Sequence, residues 1–253
     1  MQEVKNYGSF LQAFSLKKNI EALGHTCDFI NIIPGEQIGT YKVERFYKLR
    51  LLVRRLIGWD FKKRLKYIYL FQNRFKKEFL PELGVKPDYS NNKKHYDVIV
   101  IGSDEVFNCA QKTWFGFSPQ LFGEGLNAEK IISYAGSFGA TTVDILKGLG
   151  LKERVASYLK KNFSSISIRD INSYEVVNVL TGIEPVLNVD PVILTDWKKY
   201  MPHEHVLLKD YMIVYTYPGR ISDEKEIAAI KRYAASRQLK LVSIGHYFSW
   251  VDQ

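Results

Sequence analysis

The sequence predicts an α/β protein: a doubly wound, mostly parallel sheet, followed by an incomplete second α/β domain. Two observations predict it. The run Tyr96-Asp97-Val98-Ile99-Val100-Ile101 is short, β-branched and almost continuously apolar, the pattern of a strand buried on both faces. Strand and helix patterns then alternate, and each strand ends in polar residues. These ends are Gly102-Ser103-Asp104, Gly136-Ser137-Phe138-Gly139, Arg169-Asp170 and Asp190-Pro191. Ligands of open parallel sheets sit beyond the carboxyl ends of the strands. Ser103, Asp104, Ser137, Arg169 and Asp190 are therefore expected along one edge.

The elements follow in order. Ser9 to Gly24 reads as a helix: Ser9 and Gln12 form a Ser-x-x-Gln capping box, Ala13, Leu16, Ile20 and Leu23 share a face, and Gly24 terminates it. Thr26 to Ile33 reads as a strand closed by Pro34-Gly35. Phe46, Leu49, Val53, Leu56 and Ile57 recur at helical spacing, as do Phe61, Leu65, Ile68, Phe71 and Phe75. They predict two basic amphipathic helices, broken near Gly58-Trp59-Asp60. After the buried run, Lys130 to Tyr134 predicts a strand, Val143 to Lys160 a helix, and Ser164 to Ile168 a strand. Ser173 to Leu180 predicts a helix stopped at Gly182, and Val186 to Val189 a strand. Thr195 to Lys209 reads as a linker. Tyr211 to Tyr215, Asp223 to Arg237 and Leu239 to Ile244 then read as strand, helix and strand, too little to bury a core easily. Residues 1–200 are thus expected to form an N-terminal domain with a basic helical insertion at about 41–80. Residues 201–253 are expected to begin a truncated C-terminal domain.

Length and composition are those of a globular protein: 253 residues, 46% hydrophobic and 25% charged. Lys plus Arg is 36 and Asp plus Glu 27, for a net +9. Between Tyr41 and Leu80 there are 13 basic and 3 acidic residues, a net of +10, so the remainder is close to neutral. Such a segment is either a solvated face or attracted to an anionic surface: lipid headgroups, a diphosphate-linked glycan or nucleic acid. No nucleic-acid-binding motif accompanies it, and nucleic acid is not an expected partner. No apolar run approaches the roughly 18 residues that span a bilayer, and Met1 to Asn6 lacks a signal-peptide pattern. With only Cys27 and Cys109, reduced thiols in a cytoplasmic protein are expected.

Three features bear on chemistry. Asn6-Tyr7-Gly8-Ser9 stands at a helix N-terminus, where free amides suit an anion or simply need a cap. Asp104 is read as binding a sugar hydroxyl or capping a following helix. Arg169 is read as presenting a planar fork to a carboxylate or phosphate, or as pairing with Asp170 or Asp190. The 136–139 turn lacks the dinucleotide fingerprint. The five histidines match no His-Glu-x-x-His spacing, there is no Gly-x-Ser-x-Gly elbow, and no metal is expected.

In this order the motifs resemble the polysaccharide pyruvyl transferase family. The matching residues are Asn6-Tyr7-Gly8-x-x-Leu11-Gln12-x-Phe14-x-Leu16, Leu23-Gly24-His25, Asp97-x-Ile99-x-x-Gly102-Ser103-Asp104-Glu105-Val106-Phe107-Asn108, Ile132 to Gly139, Ser167-Ile168-Arg169-Asp170-x-x-Ser173 and Val189-Asp190-Pro191-Val192. The resemblance implies a two-domain fold like that of GT-B glycosyltransferases. It implies transfer of pyruvate from phosphoenolpyruvate, as co-substrate and with no further cofactor, to a sugar of a surface polysaccharide as a ketal. Arg169 is then the expected grip on the donor, with Asp104 beside it in the chemistry. Asn6, Tyr7, Gly8, Ser103, Ser137 and Asp190 are expected to line the substrate site. Glu105 stands where the family commonly has Gln. The family's C-terminal Arg-x-His or Ser-Phe-His-Gly motif, whose histidine is the expected acid, has no counterpart after Trp250. The implied partners are phosphoenolpyruvate and a glycan or lipid-linked oligosaccharide, with peripheral contact to an anionic inner-membrane face. Two competing readings are a GT-B-type glycosyltransferase using a nucleotide sugar and a non-catalytic remnant that binds glycan or membrane.

Overall fold

A computed structural model describes residues 2–38, 61–111, 113–200, 210–216, 219–244 and 247–252. In chain order the principal elements begin with α1 (Tyr7–Ala22), α2 (Phe61–Arg74), α3 (Leu80–Leu83), β1 (Tyr96–Asp104) and β2 (Ala128–Gly136). They continue with α4 (Val143–Gly148), α5 (Lys152–Asn162), β3 (Ser167–Ile168), α6 (Ile171–Thr181), β4 (Val186–Leu187) and α7 (Pro191–Leu194). The last are β5 (Tyr211–Val214), α8 (Glu224–Ser236) and β6 (Lys240–Ser243). The chain divides into two compact units, Met1–Lys42 with Lys76–Thr195, and Val43–Phe75 with Asp196–Gln253.

The first unit is an α/β unit on a four-stranded parallel sheet of order β1-β2-β3-β4. Its register decides where the strand tips fall. Asp104 pairs with Gly136, and Gly136 pairs with Ile168. The residues at or just beyond these positions, Asp104, Ser137 and Arg169, therefore share the carboxyl edge. From Ile99 onward β1 alternates buried with half-buried residues, while Asp97 and Val98 near its start are exposed. The core packs Phe107, Phe122 and Phe138 against Leu146, Val155, Leu159, Ile168, Val176 and Val177, with the Phe107–Phe122 and Phe107–Phe138 centroids both 5.3 Å apart.

β3 has only two paired residues because serine hydroxyls replace neighbouring rungs. Ser133 Oγ accepts from Ser167 N (2.9 Å) and donates to Ser167 O (2.9 Å), and Ser167 Oγ accepts from Ala135 N (2.9 Å). The Ser167 and Ala135 peptide groups thereby find partners without a strand ladder.

The segment predicted as a strand over Thr26–Ile33 is not one, for a related reason. Its backbone is satisfied by side chains from elsewhere in the unit. Asn31 N donates to Asn92 Oδ1 (2.9 Å), Ile32 N to Glu3 Oε2 (2.7 Å) and Ile33 N to Gln120 Oε1 (2.8 Å). Asn91 Nδ2 reaches Phe29 O (3.0 Å), and Asn92 Nδ2 reaches Asn31 O (2.8 Å). The helix expected over Val143–Lys160 is two helices, α4 and α5, parted at Gly150, whose φ of +69° no helix accepts.

The second unit contains a parallel β5–β6 pair joined by α8, in register from Tyr211↔Lys240 to Val214↔Ser243. Asp223 caps α8 by accepting from Lys225 N (2.9 Å). A small core of Val214, Ala234, Leu241 and Phe248 lies beneath, with Met212, Ile230 and Trp250 partly buried against it. Of the two basic helices expected, the first lies outside the described residues. The second is α2, on which Leu65, Tyr69 and Leu70 are exposed. Within the expected linker, Trp197–Lys199 forms a 3-10 turn, and residues 201–209 lie outside the described residues.

Candidate functional site

The site begins with how α1 starts. Asn6 is its N-cap, with Oδ1 accepting from Gly8 N at 2.7 Å. The helix therefore begins at Tyr7, and the capping box predicted for Ser9 and Gln12 does not form. Both side chains lie three residues apart on one helix face and serve elsewhere. Ser9 Oγ donates to Asp104 Oδ2 (2.8 Å), and Gln12 Nε2 donates to Asp190 Oδ2.

Those two carboxylates flank Arg169. Its Nη1 lies 2.8 Å from Asp190 Oδ2 and its Nη2 3.4 Å from Asp104 Oδ1. The three side chains are about one-fifth exposed, at 23% for Arg169, 20% for Asp104 and 21% for Asp190. They are thus shielded but reachable. Of the two ion-pair partners considered for Arg169, Asp190 is engaged. Asp170 instead caps α6, accepting from Ser173 N and Ser173 Oγ, each at 2.8 Å. Asp190 also caps α7, its Oδ1 accepting from Val192 N at 3.0 Å. Asp104 caps no helix: the residues after it form bends and turns. Its φ is +73°, in the left-handed region where Asp is among the few tolerated side chains.

The strand tips come close because of Gly102. A Cβ there would stand 2.0 Å from the Tyr134 carbonyl oxygen, and the φ of +146° is open essentially to glycine alone. Across the same edge, Tyr134 Oη donates to Val189 O at 3.2 Å, one residue before Asp190. Burial pushes the Tyr134 phenol pKa up, and the nearby Asp190 charge adds to the shift.

The remaining residues singled out from the sequence are less directly engaged. Ser103 is buried, and among the described residues its Oγ has no hydrogen-bond partner. Ser137 is buried and shapes its own turn: Oγ accepts from Gly139 N (2.9 Å) and its carbonyl from Phe107 N (3.0 Å). Tyr7 packs edge-to-face on Phe79 at 5.7 Å. Gly8 contributes its amide to the Asn6 cap. Ser9, Gln12 and Tyr134 were not singled out as site residues. The usable signal was the i, i+3 spacing of Ser9 and Gln12 just after Asn6-Tyr7-Gly8, which capping explained equally well.

A separate small pocket, partly open to solvent, is lined by residues that include Phe107, Asn108, Cys109, Thr113 and Phe117. It contains none of Asp104, Arg169 or Asp190. Burial pushes its Cys109 thiol to about 12, so no thiolate is available there at neutral pH. Among the described residues no cluster of His, Cys, Asp and Glu is arranged to hold a metal ion, and no helix is long and apolar enough to cross a membrane.

One guanidinium between two carboxylates leaves a net negative charge. The carboxylate oxygens accept hydrogen bonds from hydroxyls, and a guanidinium has more donors than its two ion pairs use. The four-stranded parallel sheet with its helices is consistent with a Rossmann- or GT-B-like fold, and the cluster lies at the carboxyl edge, where open parallel sheets take their ligands. The model of the family described as polysaccharide pyruvyl transferase matches residues 6–249. The chain belongs to that family, a family of transferases. Comparison with curated proteins and with solved structures gave no match.

Proposed function

We propose that the chain moves the pyruvyl group of phosphoenolpyruvate onto two hydroxyls of one sugar residue of a polysaccharide or its lipid-linked precursor. The product is a cyclic ketal, and phosphate is released. Two acceptor hydroxyl protons are lost. One ends on the donor methylene, which becomes a methyl group, and the other leaves with phosphate. Family membership supports the class of reaction, and the Arg169–Asp104–Asp190 contact supports its location.

In this reading Arg169 turns its remaining donors to the anionic donor substrate. Asp104 accepts a proton from an attacking hydroxyl, and Asp190 holds the acceptor or the arginine. Ser103 donates its hydroxyl to substrate, which would give its buried oxygen a partner. Asn6, Tyr7 and Gly8 form the wall at the start of α1, and Ser137 shapes the adjoining turn. The reaction then belongs on the cytoplasmic side, where the donor is made, and the basic 41–80 segment draws the protein to anionic headgroups near a lipid-linked acceptor.

The test is product identification. The full chain is incubated with phosphoenolpyruvate and a panel of lipid-linked and free oligosaccharides. Ketal formation, read by mass and by the new methyl resonance, should accompany phosphate release one for one. Transfer from a nucleotide sugar instead, or binding of glycan without turnover of either donor, would replace this reading.

A further inference from the structure

Arg169 is linked to α1 through the two carboxylates. Asp190 Oδ2 accepts from both Gln12 Nε2 and Arg169 Nη1, while its Oδ1 is occupied by Val192 N. Asp104 instead divides its oxygens, Oδ2 to Ser9 and Oδ1 to Arg169 Nη2. Each carboxylate thus accepts from both an α1 side chain and the guanidinium, Asp104 on separate oxygens and Asp190 on one. A carboxylate held by two donors has little freedom to rotate. A guanidinium held by two fixed carboxylates has its plane set.

We infer that Ser9 and Gln12 are positioning residues for pyruvyl transfer, aligning the Arg169 guanidinium through Asp104 and Asp190. This rests on the function proposed above. It adds that α1, and not the sheet alone, sets the geometry at the strand tips. Small misplacements of such groups lower rates by large factors.

The test has a kinetic and a spectroscopic arm, both on the full chain. In protein labelled with 15N-arginine, the Arg169 Nε–Hε resonance is assigned by its loss in Arg169→Lys. Gln12→Ala and Ser9→Ala should each move or broaden that resonance. Each should also lower kcat for ketal formation about tenfold, with KM for phosphoenolpyruvate changed less than about threefold. Gln12→Glu adds a discriminating readout. Ionised, the new carboxylate repels Asp190; protonated, it donates to Asp190 Oδ2 as the amide did. The activity of Gln12→Glu relative to the native protein should therefore rise about tenfold as pH falls from 8 to 5.

An unmoved Arg169 resonance in both alanine variants overturns the inference. So does a flat relative pH profile for Gln12→Glu, since general destabilisation would not follow the ionisation of residue 12. If the native chain makes no ketal, the function fails, but the resonance arm still decides the positioning role. If an alanine variant does not fold, Gln12→Glu at pH 5 against pH 8 decides it in the same two arms.

Discussion

Arg169 meets Asp190 at 2.8 Å and Asp104 at 3.4 Å, so each of the three depends on the others. Removing one carboxylate leaves the guanidinium tethered on one side. Asp190→Asn keeps the shape and a cap acceptor for Val192 N but removes the charge opposite Arg169. It is expected to lower ketal formation at least tenfold while the melting temperature shifts by only a few degrees, checked by steady-state kinetics and calorimetry. Cys109 gives a prediction with a definite sign in pH. Its thiol stands at an ordinary 9.0 when exposed and at about 12 in the fold, so the fold favours the protonated form. That contribution to stability is complete below about pH 9 and is lost as pH rises from 9 towards 12. At pH 8 a thiol reagent should leave Cys109 unmodified in the native protein and modify it rapidly in denaturant, read by peptide mapping. Fast native labelling would contradict its burial.

Among the elements, α6 and the turn after β2 share one buried hydroxyl. Ser173 Oγ donates to Asp170 Oδ1 (2.8 Å) and accepts from Phe138 N (2.8 Å), and the residue is fully buried. Ser173→Ala strands the Phe138 amide and weakens the cap, which is expected to destabilise the chain by about 1–3 kcal/mol, measured by denaturant unfolding. The strand tips, the polar residues on them and the α6 stop at Gly182 were legible in the sequence because they are local: apolar runs and a glycine, here with φ +74°. What was not legible depended on distant side chains. Thr26 to Ile33 reads as a strand closed by Pro34-Gly35, yet the backbone of residues 29–33 bonds to Asn91, Asn92, Gln120 and Glu3. Ser9 and Gln12 fit a local capping rule, but Asn6 already caps the helix, which leaves them for carboxylates 95 and 178 residues away in the chain. No periodicity in the sequence carries that choice.

At the scale of the whole molecule, the formal charge of +9 is concentrated between residues 41 and 80. Replacing Lys62, Lys63 and Arg64 together by Glu changes that segment from +10 to about +4. If the segment draws the protein to a membrane, binding to vesicles rich in anionic lipid should fall several-fold in a flotation assay and be salt-sensitive in the native chain. Equal binding by the variant would leave the segment a solvated face. The reaction itself is tested most directly by acceptor-dependent release of phosphate from phosphoenolpyruvate, compared between the native full chain and Arg169→Ala under identical conditions. The account predicts release by the native chain, matched by ketal product, and loss of at least a hundredfold in the variant with its melting temperature little changed. Equal release by both proteins would contradict it.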